Sequence, residues 1–150
     1  MRIDADEVAR RAGKVMYATD NAARTHGIHV VEVTAGRSVL RMVVRDTMVN
    51  GHDIGHGGMT FTLADTAMAY ACNSYNQKAV AAMAQISFLA PTFSGDVLTA
   101  TATETALRGR TGIYDVDVVN QKGETVASFR GQTQTIKGRL VDDLPVTRES

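Results

Sequence analysis

The amino-acid sequence predicts an α+β domain in which a single antiparallel sheet of five to six strands wraps around one long central helix. Three observations lead there. Residues 59–72 are apolar on nearly every side, the mark of a helix surrounded by core rather than lying on a surface. Two short runs rich in Val and Leu precede that helix, and four runs rich in Val, Thr, Ala and Ile follow it. The links between several of these runs are too short for anything but antiparallel neighbours. Strands and helix are therefore segregated, unlike the alternating pattern of a doubly wound fold.

In chain order, an N-terminal helix spans about 4–20. Val8, Ala12, Val15, Met16 and Thr19 fall at helical spacing, and Asp4 and Asp6 place negative charge at its favourable end. Residues 29–34 and 38–45 form a hairpin, with Ala35-Gly36-Arg37 supplying the glycine for the reversal. The glycine-rich loop and central helix follow, then strands over 79–89, 96–107, 111–120 and 125–137, punctuated by Pro91, Gly95, Gly109 and Gly123. In the second of these, Leu98, Ala100 and Ala102 face inward while Val97, Thr99, Thr101 and Thr103 face out. The chain thus reads as one domain with its core over about 26–137. The tail, 138–150, with Asp142-Asp143 and Pro145, reads as a loose end or a subunit contact.

Composition narrows the function. A chain of 150 residues is one domain by length, able to bury roughly 70% of its unfolded surface. Sixteen basic residues balance sixteen acidic ones, so no net field draws the protein to nucleic acid or to an anionic membrane. No window approaches the roughly 18 apolar residues of a membrane span. Cys72 is the sole cysteine and the first residues lack the apolar stretch of a signal peptide, which predicts a cytoplasmic protein without disulfides.

The chemistry lies in residues 50–73. Asn-Gly-His-Asp-Ile-Gly-His-Gly-Gly runs into the apolar helix, whose only charge is Asp65. A carboxylate removed from water is costly unless paired, hydrogen-bonded or protonated, so a lone acid here asks for a function. Asp65-Thr66 can also cap a helix that begins only at Thr66, but no breaker interrupts 59–72. The glycines lack the Lys-Ser/Thr of a phosphate loop. His52 and His56 have the i, i+4 spacing of a metal pair, yet they lie among glycines with no clear third ligand, and no metal site is predicted. Cys72, Ser74 and Ser87 have no positioned base and read as structural.

The element order, with Asn50-Gly51-His52, His56-Gly57-Gly58 and Leu63-Ala64-Asp65-Thr66-Ala67, resembles the hotdog-fold thioesterases. Within them it is similar to the phenylacetyl-CoA thioesterase group of aerobic phenylacetate breakdown. The likeness covers about 15–137. It implies hydrolysis of phenylacetyl-CoA or a related (hydroxy)aryl-acetyl-CoA, with coenzyme A as part of the substrate and no cofactor. It also implies sites shared between the subunits of a homodimer, and a homotetramer built as a dimer of dimers. Asn50 would come from the same chain as the loop glycine and hold the water or the carboxylate.

Thioester hydrolysis needs a polarised carbonyl and an attacking oxygen. Gly57 and Gly58 sit where the helix should begin, and free N–H groups at a helix start suit a carbonyl oxygen that becomes an oxyanion. Asp65 would be the general base or the nucleophile. With Asp65 eight residues beyond Gly57, a rise of 1.5 Å per residue separates them by about 12 Å. A reacting atom needs its partners within about 3 to 3.5 Å. Asp65 of one chain must therefore work with Gly57 of another. His56 buttresses the loop or contacts the thioester region. Phe61, one turn before Asp65, is the leading acyl-pocket candidate, with Met83 and Thr66 also placed at the substrate, although apolar residues at such spacings more often belong to core. Arg108 and Arg110, flanking a turn, would meet the phosphates of coenzyme A. A hydratase or dehydratase using His56 and Asp65, or a non-catalytic acyl-CoA-binding module, are the alternatives.

Overall fold

The computed structural model describes residues 3–148. Helix α1, Ala5–Thr19, is capped by Asp4, whose side chain accepts from the Asp6 N–H, and its buried face is Val8, Ala9, Ala12 and Gly13. Val15, read from its spacing as an inward position, is 46% exposed, because that face is centred on the alanines and Gly13, where β1 packs closely. A five-residue helix, α2, Asn21–Thr25, follows. It starts at Asp20, whose carboxylate accepts from the Ala23 N–H and from the Tyr70 hydroxyl, tying it to the central helix.

Strands β1, His29–Thr34, and β2, Arg37–Val43, form the expected hairpin across Gly36, which takes a positive φ of 75°. The central helix α3, Gly57–Cys72, is continuous, so Asp65 is an interior residue and not a cap. Strands β3, Ala79–Phe88, β4, Val97–Arg108, β5, Thr111–Val119, and β6, Thr125–Thr135, complete a six-stranded sheet in the order β1-β2-β4-β5-β6-β3 with antiparallel pairs throughout.

The sheet curls over α3. Leu98, Ala100 and Ala102 of β4 are fully buried beneath it, with Tyr114, Val116 and Val118 of β5 and Phe129 of β6. Small residues set the approach: a Cβ on Gly131 would lie 2.2 Å from the Met68 Sδ of the helix, so only glycine admits this packing. Beyond β6 the chain is fastened, not loose. Leu144 is 2% exposed, and the buried Asn76 carboxamide accepts from the Leu140 and Val141 N–H groups and donates to the Val141 and Leu144 carbonyls.

Candidate active site

The start of α3 is built by local chemistry. His56 is its N-cap: its Nδ1 accepts the Gly58 N–H at 2.9 Å, and its carbonyl accepts the Met59 N–H. With Nδ1 acting as acceptor, the neutral ring carries its proton on Nε2. The Gly57 N–H, one of the orphan donors of a helix start, has no hydrogen-bond partner among the described residues. Glycine also leaves room for a close neighbour, since a Cβ would stand 2.9 Å from the Cζ of the exposed Phe88 side chain, which would have to swing aside.

Asn50 organises the loop in front of this helix. Its Oδ1 accepts the His52 N–H at 2.8 Å and the Ile54 N–H at 3.4 Å, while Asp53 takes a positive φ of 59° to close the turn. The Asn50 side-chain NH2 group makes no hydrogen bond among the described residues. Asn50 and Gly57 open into one cavity of about 500 Å³, whose far wall is Phe88, Leu89, Ala90 and Pro91. A donor pair thus faces an apolar wall.

Asp65 opens elsewhere. Its cavity of about 440 Å³ lies under the second half of α3, against Met16, Met68, Cys72, Lys78 and the start of β3. The carboxylate makes no ion pair or hydrogen bond among the described residues, and burial raises its pKa above the ordinary carboxylate range. Cys72 lines the same cavity, but burial pushes its thiol up to about 12, which leaves it un-ionised and inert. Because the helix is regular from Gly57 onward, Gly57 and Asp65 remain about 12 Å apart along its axis. The Gly57 N–H and the Asp65 carboxylate are thus on one helix and in different cavities.

The stretch of chain that carries these two groups matches a known family. A profile described as the thioesterase superfamily matches residues 52–127, the stretch that holds Gly57 and Asp65. The chain belongs to the thioesterase superfamily. It is 46% identical over 128 residues to the acyl-coenzyme A thioesterase PaaI of Escherichia coli (strain K12), covering 85% of this chain and 91% of that protein. The solved structure of the E. coli PaaI protein superposes with a TM-score of 0.89 at 44% identity, over 91% of this chain and 99% of that one. A hypothetical thioesterase protein with coenzyme A from Streptococcus pneumoniae TIGR4 gives a TM-score of 0.72 at 25% identity, covering 75% of this chain and 90% of that one. The expected hotdog fold and the expected thioesterase family both hold.

The remaining candidates are distributed around these cavities. Gly58 serves the His56 cap. The Thr66 hydroxyl donates to the Thr62 carbonyl one turn back, at 2.6 Å. Phe61 packs edge-on against Phe129, with ring centroids 5.5 Å apart, and so turns toward the sheet. Met83 is exposed on β3 beside a bulge. Arg108 is exposed at the end of β4, whereas Arg110 lines a third cavity at that end of the sheet. Sequence reasoning missed Phe88. Its position at the end of a strand carries no local signal, because its contact with Gly57 arises from how β3 runs beside α3. Among the described residues no group of three His, Cys, Asp or Glu side chains comes together as a metal site, and no helix is long and apolar enough to cross a membrane.

Proposed function

We propose that the protein is an acyl-CoA thioesterase that hydrolyses phenylacetyl-CoA or a related (hydroxy)aryl-acetyl-CoA in phenylacetate catabolism, with each site completed across a two-fold axis. The observation that carries this reading is a pair of uncommitted groups, the Gly57 N–H and the Asp65 carboxylate, on one helix but in separate cavities. The E. coli relative is named as an acyl-CoA thioesterase, and its structure is described as from the phenylacetic acid degradation operon, which supports the choice of substrate.

The edge of the sheet indicates how the halves meet. β3 is an edge strand whose Val80, Met83 and Phe88 are exposed, and such an edge is a template for pairing with another chain. The Asp65 cavity touches β3 at Ala79, Val80 and Ala81, and the Gly57 cavity touches its other end at Phe88. Antiparallel pairing of β3 with a second copy, centred near Ala84, brings each cavity against the complementary one of the other chain. Two such dimers would then make the homotetramer.

In the joined site the thioester carbonyl oxygen accepts from the Gly57 N–H at the positive end of α3, and Asn50 holds the attacking water. Asp65 of the second copy takes a proton from that water as its oxygen bonds to the carbonyl carbon. The carbon–sulfur bond then breaks, the coenzyme A sulfur leaves with the proton from Asp65, and the acid is freed. A carboxylate whose pKa is raised by burial lies closer to the working pH and is the better base. The apolar wall of Phe88, Leu89 and Pro91 beside Gly57 suits an aromatic acyl group. No cofactor is needed.

A free-thiol release assay over aryl-acetyl, hydroxylated and aliphatic acyl-CoA esters tests this, with Asp65→Asn as control. The expected result is fastest turnover of aryl-acetyl-CoA and its loss in the variant. Equal hydrolysis by parent and variant would overturn the assignment.

A further inference from the structure

The third cavity, about 470 Å³, lies at the end of the sheet where α3 terminates. Its wall carries Arg110 from the β4–β5 turn, Lys137 from the end of β6, Arg148 from the C-terminal segment, and Gln77. Among the described residues no carboxylate lines it, and none of the three cations forms an ion pair. In a chain whose formal net charge is zero, three cations around one hollow, with no carboxylate beside them among the described residues, mark a place for a multiply charged anion. Ile136 lines both this cavity and that of Asp65, so the two adjoin.

Arg148 does not arrive there by chance of a free end. Asn76 is fully buried at a positive φ of 62° and bonds the backbone over residues 140–145, and the Thr147 N–H donates to the Tyr75 carbonyl. The Arg148 guanidinium then donates to the Gly109 carbonyl in the turn that also presents Arg110. An asparagine buried in a strained conformation to hold a terminal segment, which in turn sets an arginine over a basic hollow, is an arrangement that positions charge.

We propose that this cavity is the subsite for the 3′-phosphorylated ADP end of the thioester substrate. Arg110, Lys137 and Arg148 would take its phosphates, and Asn76 would act as the positioning residue that holds the arm bearing Arg148. The assignment rests on the acyl-CoA reading of the Asp65 site, since the pantetheine arm would run from that site past Ile136 to the phosphates. It also extends the phosphate role expected of Arg110 to residues outside the β4–β5 turn, and it leaves Arg108 out.

The test compares one acyl group carried on coenzyme A, on 3′-dephospho-coenzyme A and on N-acetylcysteamine, in the parent, Arg148→Ala, Lys137→Ala and Asn76→Gly proteins. Glycine tolerates the positive φ of position 76 while removing the anchor. Each variant should raise KM for acyl-CoA about tenfold, as loss of a charge-assisted hydrogen bond does, with kcat retained and the KM for the N-acetylcysteamine thioester unmoved. Unchanged KM for acyl-CoA, or an equal rise for the short thioester, would overturn the subsite while leaving the thioesterase reading intact. Calorimetric titration with adenosine 3′,5′-bisphosphate reads the subsite without catalysis. Binding about tenfold weaker in Arg148→Ala supports it even if no thioester is hydrolysed, and equal binding or none overturns it.

Discussion

Replacing Gly57 by proline removes one atom group from the proposed reaction, the N–H that receives the oxyanion. Gly57 is the first residue of α3, the helical position that proline favours because its N–H has no intrahelical partner. His56 before it, at φ −65° and ψ 131°, is already in the extended conformation that a following proline imposes. The Cβ that proline adds would lie 2.9 Å from the Cζ of Phe88, the free end of a side chain that is 56% exposed and has room to swing aside. Gly57→Ala is the matched control, since it adds the same Cβ and keeps the N–H. Loss of one oxyanion donor costs about 10²- to 10³-fold in kcat, or about 2.7 to 4 kcal/mol. The assay is steady-state thiol release from an aryl-acetyl-CoA, with circular dichroism and melting to show that both variants fold. Gly57→Pro should fall short of Gly57→Ala by that factor in kcat. Equal kcat in the two variants would refute the role of the Gly57 N–H.

Asp65→Asn should lower kcat by at least about 10²-fold and yet stabilise the fold at neutral pH. Burial raises the folded-state pKa of Asp65, so as pH rises the unfolded chain gives up this proton first, and the folded state loses stability until its own raised pKa is passed. Melting temperatures of parent and variant should therefore converge below the ordinary carboxylate range and diverge above it; a variant less stable at neutral pH would contradict this. The parent's kcat should fall as acid protonates Asp65, with a midpoint above that of a free aspartate. Gly131→Ala should cost about 1 to 3 kcal/mol by overpacking against Met68, read as a lower denaturant midpoint, and Met68→Ala should recover part of it. Lysines in place of Val80 and Met83 should block pairing along the β3 edge, giving monomers by light scattering and losing activity together with the dimer.

Local periodicity made much of this fold legible. Leu98, Ala100 and Ala102 alternate with outward threonines in the sequence and lie fully buried in the structure, and the apolar run after Gly57 is one continuous helix. The separation of Gly57 and Asp65 followed from helix geometry alone. What could not be read depends on contacts between distant residues. Helix α2 is five residues long and exists because Asp20 serves both the Ala23 N–H and the Tyr70 hydroxyl. β3 follows α3 in the chain but pairs with β6 at the sheet edge, and no feature of its own sequence fixes that place. Phe61 lies one turn before Asp65 on the helix, yet its ring meets Phe129 because the curl of the sheet brings β6 to it. The segment after Gly138 is polar enough to read as loose, and only the left-handed turn at Asn76 reveals what holds it.

Subunit complementation tests the shared site most directly. Asp65→Asn and Gly57→Pro proteins, each inactive alone, are unfolded, mixed in equal amounts and refolded together, and thiol release is measured. Random pairing makes half of the dimers mixed, and each mixed dimer holds one intact site and one doubly defective site. The mixture should therefore recover about a quarter of parental activity. If Asp65 serves the Gly57 of its own chain, no intact site can form, and a mixture as inactive as its components would contradict the account.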